Sequence, residues 1–372
     1  MHKIYTATFH GANNYGAVLQ AYALQKFLLD QGYVTEILDY DNLSISKANK
    51  VFVKIDGNII KTFLFTLKNI LFLRKIYLRN QNFNAARKML KLTSYFADCA
   101  KLPIKNIKGD IFIVGSDQIW SSIHTGGIDD IYTLNFSNSI KKISYGASCG
   151  NVNVMEENKN EFKKRLNSFD YLSVRENSTC EYLNKLLDKK VSVVLDPSLL
   201  LKTCDWVNFA GSNRLVEEKY IFAYEVSKGN QLYYDVVNEL ARKTGYKIVF
   251  FDKNDYKHLY KYKKLSFFTA GPIEWVNLIL NAEYVVTSSF HGTAFSVALN
   301  KKLFVVLSAS PDRLTTLIDK VKLNDCIVKN INDFDRVYNS SIDWKEVNKL
   351  LEAERKKSAD WLTNAIESCK NG

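Results

Sequence analysis

The chain has 372 residues, more than one ordinary core serves, and its 47% hydrophobic and 13% aromatic content is enough to bury two domains. Six cysteines are scattered with no C-x-x-C pair, and the longest apolar stretch, 63–73, is broken by Lys68 and falls far short of the roughly 20 residues of a membrane span. Disulfides, a zinc site and a bilayer crossing are therefore not expected, and the net charge of +12 comes with no nucleic-acid-binding motif.

The first residues, Met1-His2-Lys3-Ile4-Tyr5-Thr6, lack the apolar core of a signal peptide, so a cytoplasmic protein is expected. A strand over 3–8, a polar loop over 9–15, a helix over 16–31 closed by Gly32 and a strand over 34–38 predict a βαβ unit. A basic helical insertion at 45–100 follows. Within it, residues 50–91 hold ten Lys/Arg against one acid, Asp56, interleaved with Phe, Leu and Ile. That run suits a helix pair packed on its own domain, a face resting on anionic lipid headgroups at the inner side of a membrane, or, least well, a nucleic-acid surface. Further strands are predicted at 110–114, 142–146, 171–174 and 191–195, and Asp196-Pro197 marks a break. From about 205 the alternation restarts. Strands are expected at 220–226, 247–251, 265–269, 284–286 and 303–307, and helices at 232–243, 273–280, 294–299 and 312–320. A basic, aromatic patch at 256–264 reads as an exposed loop, and a helix over 344–369 ends the chain. The resulting expectation is α/β, with two Rossmann-like doubly wound domains at 1–200 and 201–335. By analogy with such folds, the helical segment 336–372 packs back on the first.

Ligands in open α/β sheets sit beyond the carboxyl ends of the strands, so the loops 9–15, 115–120, 145–150, 175–179 and 288–293 are the ones to watch. The most informative is the last. The buried strand Tyr284-Val285-Val286 runs into Ser288, Ser289, His291, Gly292 and Thr293 and then into a helix, which makes an anion site for a phosphate or carboxylate. The same residues also fit a capped helix whose histidine is merely hydrogen-bonded. Asn14, Tyr15 and Gly16 open the first helix without a three-glycine dinucleotide fingerprint, so a nicotinamide or flavin is not expected. Asn14 and Tyr15 suit hydrogen bonding to a sugar or phosphate, or a plain N-cap. Asp117 and Trp120 follow a strand, where a carboxylate and an aromatic face suit sugar hydroxyls and ring; Asp117 equally suits capping. Arg175 ends another strand and offers either a fork for carboxylate or phosphate or a salt bridge with Glu176 or a neighbour.

Taken in order, Asn14-Tyr15-Gly16-Ala17 with 19–25, Val114-Gly115-Ser116-Asp117-Gln118-Ile119-Trp120, Ile143-Ser144-Tyr145-Gly146-Ala147-Ser148, Leu172-Ser173-Val174-Arg175-Glu176, Leu195-Asp196-Pro197 and Thr287-Ser288-Ser289-Phe290-His291-Gly292-Thr293 resemble the polysaccharide pyruvyl transferase family along almost the whole chain. The resemblance implies a GT-B-like arrangement of the two domains, phosphoenolpyruvate as donor substrate with no cofactor or metal, and pyruvate transfer as a cyclic ketal onto two hydroxyls of a sugar. The acceptor would be a surface polysaccharide or its lipid-linked precursor. On that reading His291 and Asp117 are catalytic. Arg175, Ser288, Ser289, Gly292, Thr293 and Arg313 hold the donor, and Asn14, Tyr15, Gly16, Trp120 and Tyr145 face the acceptor. Some family members carry an arginine just before this histidine, where this chain has Ser289 and Phe290, so Arg313 is the expected second cation. The rival expectations are a GT-B glycosyltransferase using a nucleotide sugar and a non-catalytic carbohydrate-binding relative.

Overall fold

The computed structural model describes residues 3–46, 72–103, 110–137, 140–226, 229–252, 259, 262–307 and 311–371. The basic run up to residue 71 and most of the 256–264 patch lie outside the described residues. The chain divides into two compact units, Met1–Pro197 with Ala359–Gly372, and Ser198–Ser358.

In the first unit, β1 (Ile4–Ala7), β2 (Thr35–Ile37), β3 (Ile111–Val114), β4 (Lys141–Ala147), β5 (Tyr171–Val174) and β6 (Val191–Val193) form one parallel sheet in the order β2-β1-β3-β4-β5-β6. β1 and β3 are buried at every residue, as strands covered by helices on both faces must be, and Ile4 lies opposite Ile111 in register. The strand order changes direction between β1 and β3. The helix Tyr15–Asp30 leaves β1 with Asn14 as its N-cap, the Asn14 Oδ1 accepting from the Ala17 N–H at 3.2 Å. Helices at Lys159–Leu166 and Asn177–Leu186, which are not among the expected elements, also cover this sheet. Phe162 and Leu166 in one, and Thr179, Leu183 and Leu186 in the other, are their buried faces.

In the second unit, β7 (Tyr220–Tyr224), β8 (Lys247–Phe250), β9 (Lys264–Ser266), β10 (Tyr284–Thr287), β11 (Lys302–Val306) and β12 (Ile327–Val328) are again all parallel, in the order β12-β11-β10-β7-β8-β9. Here the direction changes between β7 and β10. β12 has only two residues, too short for any periodicity to announce it. Helices Gln231–Thr244, Pro272–Leu280, Phe290–Ala298 and Asp312–Lys320 connect the strands. Thr203–Ala210 adds one with no counterpart among the expected elements, and Phe334–Asn339 is a separate short helix at the start of the expected helical segment 336–372.

The last helix, Trp344–Asn371, contributes its first part to the second unit and the part from Ala359 onward to the first. Leu362, Ala365, Ile366 and Cys369 are buried there, and the Tyr33 hydroxyl donates to Glu367 Oε1 at 2.8 Å. No helix among the described residues is long and apolar enough to cross a membrane.

Candidate functional site

Each sheet has one place where its strand order reverses, and in open α/β sheets the loops leaving the strands at such a place are where a ligand crevice forms. In the second unit these are the loops after β7 and β10. Thr287, the last residue of β10, ties the two strands together, its hydroxyl donating to the Tyr224 carbonyl at 2.7 Å and accepting from the Ser289 N–H at 3.0 Å. Ser289 then caps the helix Phe290–Ala298, accepting from the Gly292 N–H at 3.2 Å. Every residue of that helix is buried. Phe295 explains part of this, since its ring lies 4.6 Å from Trp206 and 5.3 Å from Trp275.

The loop is thus a buried turn that carries hydroxyls. Ser288 is 6% exposed and Thr293 0%, and neither Ser288 Oγ nor Thr293 Oγ1 has a hydrogen-bond partner among the described residues. A buried hydroxyl left this way costs about 1–3 kcal/mol, which a bound acceptor oxygen would offset. His291, also buried, packs its ring edge-on to Phe290 at 5.2 Å. Gly292 is required for space, because a Cβ there would lie 2.4 Å from Thr287 Oγ1. Arg313 stands in the first turn of Asp312–Lys320, the helix that follows the neighbouring strand β11 and packs against Phe290–Ala298. Its side chain is half-buried.

In the first unit the reversal lies between β1 and β3, and a buried polar lattice closes it. Gln20, 0% exposed, donates to Thr8 Oγ1 at 2.7 Å and accepts from the Ser116 N–H at 3.1 Å, while the Thr8 hydroxyl donates to the Ser116 carbonyl at 3.1 Å. Asp117 follows with φ of +68°, a left-handed backbone that aspartate tolerates better than most residues. Arg175 is enclosed by three carboxylates: Asp196 Oδ2 at 2.8 Å from Nη1, Asp117 Oδ1 at 3.3 Å from Nη2, and Glu176 Oε1 at 3.3 Å from Nε. Burial by itself would lower its pKa, but Asp196, Asp117 and Glu176 together raise it above its ordinary value. Asp196 also accepts from Ser116 Oγ at 2.9 Å, so one carboxylate fixes both the guanidinium and the turn that carries Asp117.

The expected site residues fall into three sets. Ser288, Ser289, His291, Gly292 and Thr293 share the second unit's crevice, with Arg313 on the adjoining helix. Asp117 and Arg175 meet in the first unit, but the expected open fork of Arg175 is occupied by carboxylates and only 3% of the residue is exposed. An incoming anion would have to displace one of them. Trp120, Tyr145 and Tyr15 are core residues at 2%, 0% and 2% exposure: the Trp120 indole donates to the Tyr132 carbonyl at 3.0 Å, and Tyr145 lies 6.3 Å from Trp361. Gly16 is buried too, so of the expected acceptor-facing residues only Asn14 reaches solvent, and it caps the first helix.

Sequence reasoning passed over Asp196, Ser116 and Gln20 as site-builders. A signal existed in each case: an acid closing an apolar strand, or an amide on the buried face of a helix, must find a partner. The described part of the basic run packs on its own unit, one of the alternatives its composition allows. Helix Leu73–Arg87 buries Phe83 and Ala86, and its Arg79 and Arg87 turn inward onto the loop after β1, whereas Arg74 and Lys75 remain exposed.

Several solved structures share the fold. UDP-GlcNAc 2-epimerase from Methanocaldococcus jannaschii superposes with a TM-score of 0.53 at 13% identity, over 93% of this chain and 95% of its own. UDP-GlcNAc 2-epimerase from Neisseria meningitidis, bound to UDP-GlcNAc, gives 0.52 at 9% identity, over 98% and 100%. S. aureus MnaA in complex with UDP gives 0.51 at 13%, over 100% and 97%. At such identities the likeness is one of fold. No curated protein matches the chain significantly. The family model for polysaccharide pyruvyl transferase, however, matches residues 14–310, from the cap of the first helix to beyond β11, and so covers both crevices; the chain belongs to that family.

Proposed function

We propose that the protein transfers pyruvate from phosphoenolpyruvate onto two hydroxyls of one sugar, forming a cyclic ketal and releasing inorganic phosphate, in the assembly of a surface polysaccharide. The observation that carries this reading is the pair of buried hydroxyls without a hydrogen-bond partner among the described residues, Ser288 Oγ and Thr293 Oγ1, beside His291 at the start of a buried helix. Phosphoenolpyruvate offers only acceptor oxygens, and a crevice that presents donors and a helix N-terminus is complementary to them. Ser288, Ser289, Gly292 and Thr293 hold the phosphate, and Arg313 supplies the cation that this chain lacks beside His291.

The chemistry needs a proton on the methylene carbon, attack by a sugar hydroxyl on the adjacent carbon, departure of phosphate with its bridging oxygen, and closure by the second hydroxyl. Each hydroxyl loses one proton, one of which balances the proton gained by the new methyl group and the other of which leaves with phosphate. His291 is the general acid or the partner of the departing phosphate, and Asp117 orients or deprotonates an acceptor hydroxyl. Arg175 holds Asp117 in place through the Asp196 anchor, a revision of the donor-binding role its sequence position suggested. No cofactor enters. The reaction belongs in the cytoplasm, with the acceptor carried on a lipid at the membrane face.

The test is phosphate release from phosphoenolpyruvate in the presence of a galactose-terminated acceptor. His291→Gln keeps a hydrogen bond and loses the titratable proton, so turnover should fall by about 10² to 10⁴ at unchanged thermal stability. Full activity in that variant removes His291 from the chemistry. Acceptor-dependent cleavage of a nucleotide sugar instead of phosphoenolpyruvate would replace the proposal with glycosyl transfer.

A further inference from the structure

The loop after β1 is gripped by cations that the proposed transfer does not use. Arg79, Phe83 and Arg87 are spaced four residues apart on the helix Leu73–Arg87 and so share one face. Phe83 is 0% exposed and packs 5.1 Å from the Tyr15 ring, with the Arg79 guanidinium 5.0 Å and that of Arg87 5.6 Å from its own ring centre. Arg79 donates to Tyr15 Oη at 2.9 Å and to the Asn13 carbonyl at 3.3 Å. Arg87 donates from Nε to the His10 carbonyl at 3.0 Å, from Nη1 to Asn84 Oδ1 at 2.8 Å and from Nη2 to Asn13 Oδ1 at 2.7 Å.

Every one of the Arg87 acceptors is neutral. The carboxylate that acts on it, Asp39, is itself hydrogen-bonded to His10 Nε2 at 3.0 Å. Burial pulls the Arg87 guanidinium below its ordinary value and Asp39 offsets only part of that. A guanidinium stays charged at neutral pH regardless, so among the described residues this half-buried positive charge has no carboxylate bonded to it. Arg175 shows the opposite treatment, with three carboxylates around one guanidinium. Acids are also scarce in the surrounding sequence, where residues 50–91 hold ten Lys/Arg and the single acid Asp56. The site is also reachable: Gly11 and Asn14 are exposed, and Asn13 and Arg87 are half-buried, at the reversal point of the sheet where ligands of such folds lie.

We propose that Arg87, with Arg79 beside it and the loop from Gly11 to Asn14, binds a phosphate or diphosphate anion, the group through which a carrier-linked acceptor is held on the first unit. Assigning the anion to the acceptor rests on the proposed transferase reading; the anion site itself rests on the arginines. A guanidinium fork matches such oxygens in shape as well as charge, and the neutral acceptors that now hold Arg87 fix its orientation without cancelling its field.

Inorganic pyrophosphate is the probe, titrated calorimetrically into the full chain without any turnover, so absent phosphate release and absent anion binding are separate failures. Pyrophosphate should bind, and saturating phosphoenolpyruvate should not displace it. Arg87→Gln should weaken binding about tenfold or more, and Arg87→Lys, which keeps the charge and loses the fork, by less. Because Arg87 also holds the loop, a second variant guards against misfolding. Asn13→Asp places a carboxylate where an amide oxygen already lies 2.7 Å from Nη2, at the cost of the amide N–H given to Asn80 Oδ1 at 2.6 Å, so it should abolish pyrophosphate binding while the chain still melts cooperatively. Pyrophosphate that does not bind, binds Asn13→Asp as well as the wild type, or competes with phosphoenolpyruvate overturns the site. With turnover established, Asn13→Asp should raise KM for a diphosphate-linked acceptor more than for the free sugar; equal shifts overturn the assignment of the anion to the acceptor.

Discussion

A methyl carbon at position 115 would lie 2.2 Å from the carbonyl oxygen of Tyr145, on a backbone with φ of +112°, so position 115, in the turn between β3 and Asp117, accepts no side chain. Glycine was visible there in the sequence, but its necessity was not, because the obstructing atom comes from β4. Gly115→Ala combines a disfavoured backbone with a clash against main chain that cannot rotate away, and should destabilise the protein by roughly 2 to 4 kcal/mol in denaturant titration. A loss below about 0.5 kcal/mol would mean that the turn relaxes and does not fix Asp117. Arg175 teaches the same lesson about context. Its place at a strand end suits a ligand fork or a salt bridge, and the structure sets three carboxylates from separate loops around it.

At the scale of elements, the helix Leu73–Arg87 divides the basic run between two tasks. Arg79 and Arg87 act on the loop after β1, while Arg74, Lys75, Tyr77 and Leu78 stay exposed. The exposed set keeps contact with anionic lipid as a proposal for bringing the protein to a lipid-linked acceptor. Each basic residue near such a surface contributes about 1 kcal/mol. Replacing both Arg74 and Lys75 by glutamate should therefore weaken association with phosphatidylserine vesicles by about thirtyfold or more, and rising salt should weaken the wild type. Vesicle binding that ignores both changes, or that never occurs, counts against the membrane contact. Elements missed in the sequence share a cause: β12 is two residues long, and Asn177–Leu186 begins inside a loop read as ligand-binding, with Glu176 as N-cap making no side-chain cap bond.

For the whole molecule, each unit encloses a cysteine whose thiol burial pushes up to about 12, Cys149 in the first and Cys326 in the second, from an ordinary value of 9.0. The folded value lies above the unfolded one. Their contribution to stability is complete below pH 9 and drains away as pH rises toward 12, because only the unfolded chain ionises in that window. Melting temperature should accordingly fall steeply on the alkaline side, and Cys149→Ala with Cys326→Ala should flatten that fall. An unchanged alkaline limb in the double variant would assign it to other groups. In native protein both thiols should also resist alkylation at neutral pH, read by peptide mass, whereas exposed Cys204 reacts.

The sequence by itself determined the alternation of strands and helices, the two doubly wound halves, and the family, because apolar runs, turn residues and short motifs are local and survive in one dimension. It also determined the hydroxyl-rich crevice around His291, whose strand, cap, glycine and helix lie in one continuous segment. Only the tertiary structure decided what depends on residues far apart in the chain. Asp196 reaches Ser116 across eighty positions, Gln20 reaches Ser116 across ninety-six, and Arg87 reaches Asn13 across seventy-four. A charged side chain takes its role from the charges around it, and parallel strands joined by long crossovers bring those neighbours from segments that no local pattern connects.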